Sequence, residues 1–190
     1  NTTSTLSDAS YLIGIFTPIP MSEFMAMGDN ASVTLADKIV TYADTDFFYV
    51  EDENRSCGIK VCKNAHGLQA GMRATTIIGT LKTDNSTSER YILATTATGS
   101  GSGNTVRPVG LNNRSLGGAD WNYNSSTGAG QIGVAGGVGA NNIGLLVTVW
   151  GRVKSVDTVN RTFMIADGSK AKRLGFDGPQ PILVKVTVPT

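Results

Sequence analysis

The chain has 190 residues, a net charge of +1, 16% charged residues and 23 glycines. A length of this order holds one ordinary domain, or two small ones sharing a face. So slight a charge excludes a protein that must neutralise many phosphates, and the composition is equally unlike a disordered acidic chain.

Abundant Ser and Thr with few helix formers favour an all-β fold with polar loops. No run reaches the roughly 18 to 20 apolar residues of a membrane span. The nearest, "YLIGIFTPIP", is too short and carries two prolines. The sequence opens at Asn1 without methionine or signal peptide, as a processed, exported chain would and as a trimmed one would too. Within 1–30, the stretch Tyr11 to Ile19 is apolar and β-favouring and runs into Pro20. Extended, nine residues reach about 30 Å, the length of a barrel strand. This makes it a candidate donor strand, with Tyr11, Ile13, Ile15 and Ile19 as its apolar positions. "SEFMAMGDNAS" then predicts one helical turn with Phe24 and Met25 facing inward.

Residues 31–98 read as a first barrel. "SVTLADKIVTYADTDFFYVED" from Ser32 alternates apolar and polar, turns at Asp44 and returns on an aromatic-rich strand. "CGIKV", a long strand at Ala74–Thr83 and another at Arg90–Thr96 complete five strands, enough to close a small barrel. Cys57 and Cys62, if joined by an extended segment, lie about 16 Å apart, too far for a disulfide. Free thiols are expected. The acidic residues Asp44, Asp46, Glu51, Asp52 and Glu53 are a candidate Ca²⁺ site, because calcium takes loop carboxylates and carbonyls, although the spacing fits no EF-hand. A solvated turn is the plain alternative. In "DFFYV", Phe47 and Tyr49 point to one face and Phe48 to the other. One set fills the core, and the other is free to form a platform with Tyr91 or Trp150. Lys60, Lys63, Arg73 and Lys82 are scattered among acids, which argues against nucleic acid as a partner; a carbohydrate is compatible with the same aromatics. His66 has no nucleophile motif to serve and reads as a surface turn residue.

Residues 99–142 form a Gly- and Asn-rich connection. Its length argues for packing rather than a free tether, with Trp121, Tyr123, Ile132 and Val134 as anchors. "GAGQIG" at Gly128–Gly133 spells a dinucleotide fingerprint, but polar "WNYNSST" precedes it and glycine-rich "VAGGVGANN" follows where that chemistry needs a buried strand and a helix, so a tight packed loop is expected and no cofactor.

Residues 143–190 repeat the opening of the barrel. "LVTVWGRVKSVDTVNRTFMIADG" from Leu146 matches the stretch from Ser32: Val-Thr-apolar, a basic residue before a β-branched one (Lys38-Ile39, Arg152-Val153), a turn at Asp (Asp44, Asp157), then an apolar return strand. "ILVKVTV" supplies a third strand with Ile182, Val184 and Val186 on one face, and the sequence stops. Strand, hairpin, strand, hairpin, strand is the opening meander of an OB-type barrel. The expected fold is therefore an OB-like five-stranded barrel followed by a second, incomplete OB-like β unit.

Three stretches, "FFYVEDENRSCGIKV", "GLNNRSLGGADW" and "NNIGLLVTVWGRV", resemble OB-like β repeats of large secreted or surface proteins of environmental bacteria. The resemblance covers about Ser32 to Val188. It implies an OB-like fold and export, and carries no set of catalytic residues. Seven Asn-x-Ser/Thr sequons, at Asn1, Asn30, Asn54, Asn85, Asn113, Asn124 and Asn160, agree with an extracellular or cell-surface location and are candidate glycosylation sites. No catalytic constellation is present. The functional expectation is an exported structural protein that self-assembles into a fibre, tube or surface layer, the donor strand of one copy completing the sheet of the next. The alternative is a secreted OB-type binding module for carbohydrate or single-stranded nucleic acid.

Overall fold

A computed structural model describes residues 21–169 and 182–185. The donor positions Tyr11, Ile13, Ile15 and Ile19, the last strand position Val186 and the sequon Asn1 lie outside the described residues.

The expected helical turn forms as α1 (Met21–Met25), with Met21, Phe24 and Met25 all buried. Six strands follow: β1 (Ser32–Leu35), β2 (Lys38–Ala43), β3 (Phe47–Glu51), β4 (Gly58–Cys62), β5 (Arg73–Thr83) and β6 (Arg90–Ser100). Five of them close a barrel. β2, β3 and β4 form an antiparallel meander, β4 runs parallel to β6, β6 is antiparallel to β5, and β5 returns to β2. The interior is filled by alternate residues, among them Val40, Phe48, Val50, Val61, Ile77 and Ile92, all fully buried. α1 packs Met21, Phe24 and Met25 into the same core.

Two boundaries differ from the sequence reading. The first strand is not continuous: Asp37 takes a left-handed φ of 56° between β1 and β2. Both pieces nevertheless pair with β5, β1 along Ile77–Thr80 and β2 at Arg73–Ala74. They act as one bent strand. The fifth strand runs on to Ser100, past Thr96, because its partner β5 is equally long and Gly99 sits opposite Ala74. A Cβ at Gly99 would overlap the Leu68 side chain and Arg73 carbonyl, so the polar, Gly-rich ending of the strand reflects close packing.

The connection is packed, as its composition suggests. It contains β7 (Val109–Gly110), a 3₁₀ turn at Asn113–Ser115 and the hairpin β8 (Trp121–Asn124) and β9 (Ala129–Gln131); β10 (Val147–Thr148), just past it, returns parallel to β7. Amide side chains replace ladder hydrogen bonds here. Asn142 donates to Ser115 O and accepts from Gly117 N–H, while Asn141 donates to Ala119 O. Gln131 accepts from the Arg90 N–H and donates to Ser88 O. Gly144 shows why glycine is used: its φ is 86° and a Cβ there would lie 2.6 Å from Gly58 O.

The last described element is an antiparallel sheet of three strands, β11 (Arg152–Asp157), β12 (Thr162–Ala166) and β13 (Ile182–Lys185), in that order. No helix among the described residues is long and apolar enough to cross a membrane.

Candidate functional site

Two surfaces stand out once the core is accounted for. The first is the outer face of the barrel. Burial of Phe48 forces its neighbours Phe47 and Tyr49 outward, and the β2–β3 pairing sets Tyr42 beside Tyr49. The three rings form a cluster: Tyr42–Phe47 centroids are 5.9 Å apart, Tyr42–Tyr49 6.5 Å and Phe47–Tyr49 6.0 Å. Lys60 on β4 lies 4.4 Å from the Phe47 centroid. The Tyr49 hydroxyl donates to Glu89 Oε1 at 2.7 Å; burial first, then that carboxylate, hold its phenol above the ordinary range. Tyr91 lies in register with Lys60 on the next strand, whereas Trp150 sits beyond the barrel in the segment before β11.

The second surface is the three-stranded sheet. All six residues of its edge strand β11 are exposed. Val153 is 52% and Val156 66% exposed, and nearby Trp150 is 55% exposed. Val153 pairs with Ile165, and Val156 with Phe163, which pairs in turn with Val184. The period of two therefore places Val153, Val156, Phe163, Ile165 and Val184 on one face, with Met164 in the alternate row. Ile182, across from Ile165, shares that register row, and Val184 is half-buried. Among the described residues no strand pairs with the outer edge of β11 or of β13. The hairpins of the two repeats share devices. Asp44 accepts from the Thr45 N–H, and Asp157 from the N–H groups of Val159 and Asn160. Each first strand also carries a bulge, between Val40 and Tyr42 and between Val153 and Ser155.

The five candidate calcium ligands do not converge. Asp44 and Asp46 lie at one end of β3, and Glu51, Asp52 and Glu53 at the other. Each group of carboxylates has local partners: Asp52 pairs with Lys38 at 2.6 Å, Glu53 with Arg73 at 3.4 Å, and Asp44 caps its own turn. Glu51 is buried and accepts the Leu146 N–H, tying the connection to the barrel. Desolvation raises its carboxyl pKa, with the Leu146 bond and Arg55 pulling the other way. No cluster of three or more His, Cys, Asp or Glu that could hold a metal occurs among the described residues.

His66 is not a free surface residue. Its Nε2 lies 2.7 Å from Asp44 O, its Nδ1 accepts the Leu68 N–H, and its ring packs 4.8 Å from that of Phe48. The paired bonds fix the orientation of the ring against Phe48. Cys57 and Cys62 are free thiols, and Cys57 Sγ lies 3.1 Å from Met25 Sδ. "GAGQIG" is the turn and second strand of the β8–β9 hairpin, packed against Asp29 and Asn122. Of the proposed anchors, Trp121 packs on the barrel core and Ile132 and Val134 are half-buried, but Tyr123 is exposed.

The sequons divide. Asn30, Asn54, Asn85, Asn124 and Asn160 are exposed. Asn113 is 1% exposed and donates to Ile165 O at 3.0 Å, so it is withdrawn as a glycosylation candidate: the folded chain leaves no room for a glycan there. What the sequence reading missed is Arg90, whose fully buried guanidinium donates to Met27 O and Gly130 O. Its only sequence signal is a charge at an inward position of a strand. Comparison with protein-family models, with curated proteins and with solved structures finds no match to this chain.

Proposed function

We propose that this is an exported structural protein that assembles with copies of itself into an extracellular fibre, tube or surface layer. The observation that carries the reading is the three-stranded sheet, with its β11 edge unpaired among the described residues and Val153 and Val156 exposed. An edge strand presents unpaired N–H and C=O groups and is a template for another strand.

The barrel supplies a pattern for what is missing. Its strand order, with β4 parallel to β6 and β5 antiparallel to β2, supports an OB-like reading. On that reading β11, β12 and β13 correspond to β2, β3 and β4 as a second, incomplete OB-like unit. In the barrel β5 occupies the outer edge of β2. The corresponding edge of β11 would take the segment Tyr11 to Ile19 of a neighbouring copy, running antiparallel. Six residues of pairing span about 20 Å, within the reach of nine extended residues. Main-chain bonds would supply pairing, while Ile13 and Ile15 would cover Val153 and Val156. Each copy both gives and receives, so the contact is head-to-tail and propagates. Export and surface location are supported by the exposed sequons.

Negative-stain electron microscopy with light scattering, on the full chain and on a chain lacking residues 1–20, tests the reading. Ordered polymers from the first and monomers from the second are expected. Monomers from both at high concentration would overturn it.

A further inference from the structure

We propose that a cleft at the far end of β3 from the aromatic cluster binds a free α-amino acid, its carboxylate held by Arg55 and Arg107 and its ammonium by Glu51. The cleft, of about 300 Å³, lies between the turn after β3 and the segment 104–107, and shares no residue with the β11 edge. Asn104 docks that segment on the barrel: its N–H and its side-chain amide both donate to Gly71 O, at 3.1 and 2.8 Å. At about 30 Å³ for a water, the space suits a ligand of about ten non-hydrogen atoms.

The charges of the cleft are sorted by depth. Glu51 is 3% exposed at its floor, while Arg55 and Arg107 are exposed at its rim. The other charged residues of the lining are already matched. Asp52 pairs with Lys38 at 2.6 Å, and Arg73 with Asp37 at 2.9 Å and with Glu53 at 3.4 Å. Among the described residues no ion pair reaches Glu51, Arg55 or Arg107. Glu51 uses one carboxylate oxygen for the Leu146 N–H, and the other accepts no hydrogen bond among the described residues. Desolvation raises its pKa, with the Leu146 bond and the more distant Arg55 acting against that. It is a buried acid without a cation in contact, and a ligand ammonium supplies one. Arg55 Nη1 donates to Pro108 O at 3.4 Å, which sets its guanidinium against the backbone next to Arg107. Two guanidiniums on one wall suit a carboxylate, which each can hold through paired N–H groups. An α-amino acid carries both charges on one carbon, a negative end for the rim and a positive end for the floor. A phosphate would bring its second charge against Glu51, and a plain amine would meet the arginines.

Equilibrium dialysis of the full chain against radiolabelled L-alanine, L-serine, L-leucine, L-glutamate and L-arginine reads binding whatever the state of assembly. At least one should bind with a Kd below about 1 mM. Its N-acetyl derivative, which lacks the ammonium, and its amide, which lacks the carboxylate, should each bind at least about tenfold more weakly. Arg107→Ala, at an exposed side chain, and Glu51→Gln, which keeps an oxygen for the Leu146 N–H, should each lower the affinity at least about tenfold. Should Glu51→Gln fail to hold the wild-type melting temperature, Arg107→Ala and the two derivatives decide alone. No binding by any of these amino acids, equal binding of the N-acetyl derivative or of the amide, or binding unchanged in Arg107→Ala would overturn the proposal.

Discussion

Arg90 gives the sharpest test of how the barrel, α1 and the Gly/Asn-rich connection are joined. Its side chain is 2% exposed. The guanidinium donates to Met27 O at 2.9 Å, just past α1, and to Gly130 O at 3.2 Å, in β9. Among the described residues its one ion-pair partner is Asp29 at 3.9 Å, and Nε has no hydrogen-bond partner. Burial accordingly lowers its pKa, with Asp29 acting against that. Truncation by Arg90→Ala removes the charge, which relieves desolvation, but takes the donor from the buried Gly130 carbonyl and the part-buried Met27 carbonyl, at about 1–3 kcal/mol each, and leaves a cavity besides. The expected net loss is about 3–5 kcal/mol, the range found when one member of a buried polar network is removed. Arg90→Met fills most of the cavity and should lose less. Urea unfolding in dilute solution, followed by far-UV circular dichroism and tryptophan fluorescence, measures both. Hydrogen exchange should quicken first in the β8–β9 hairpin. A loss below about 1 kcal/mol for Arg90→Ala would refute the view that this residue fastens the hairpin and α1 to the barrel.

Three further outcomes follow from particular groups. Glu51 has its folded pKa raised, chiefly by desolvation. Such a carboxyl holds its proton more tightly folded than unfolded, so its contribution to stability weakens as pH rises from the unfolded value through the folded one. Glu51→Gln keeps an oxygen for the Leu146 N–H. It should equal or exceed the parent at pH 7 by up to about 1 kcal/mol, the gap closing on acidification through the carboxylate range; urea melts across pH 4–8 would show it. The Cys57 thiol is pushed up to about 12, first by burial and then by Asp52. Iodoacetamide at pH 8 should therefore alkylate Cys62 well before Cys57, with Cys57 reacting only on unfolding. Expression in a glycosylating host should leave Asn113 unmodified whatever happens at Asn54, Asn85 and Asn124; glycopeptide mass spectrometry reads this directly. A glycan on Asn113 in folded protein would contradict its burial against β12.

The barrel was legible because alternation is a strong signal. "DFFYV" placed Phe48 on the face opposite Phe47 and Tyr49 without saying which face is inward, and the structure decides it by burying Phe48 fully. The helical turn with Phe24 and Met25 inward was legible too, from the adjacent apolar pair within a short polar stretch. Less visible were features set by partners distant in sequence. Asp37 breaks the first strand because β5 must pair with both halves of a bent segment, which local residues do not announce. The sequon at Asn113 reads the same whether exposed or buried, and only its bond to Ile165 O decides. The acidic residues looked like one cluster because the β3 strand between them is short in sequence but carries its ends apart. Arg90 was passed over because its partners lie 40 and 63 positions away.

The account's central claim is that residues 1–20 of one copy engage the β11 edge of another. A mixing experiment separates donor from acceptor. A chain lacking residues 1–20 retains the edge but has no strand to give. A full chain carrying Val153→Lys and Val156→Lys retains the strand but presents charges on the edge, a substitution known to discourage edge pairing. Each of those valines is already more than half exposed, so the folded sheet should tolerate the change within about 0.5 kcal/mol. Light scattering should find each protein monomeric alone and a one-to-one dimer, with no polymer, on mixing. If the mixture stays monomeric while the unaltered chain polymerises, or if either variant polymerises by itself, the contact lies elsewhere and the account is wrong.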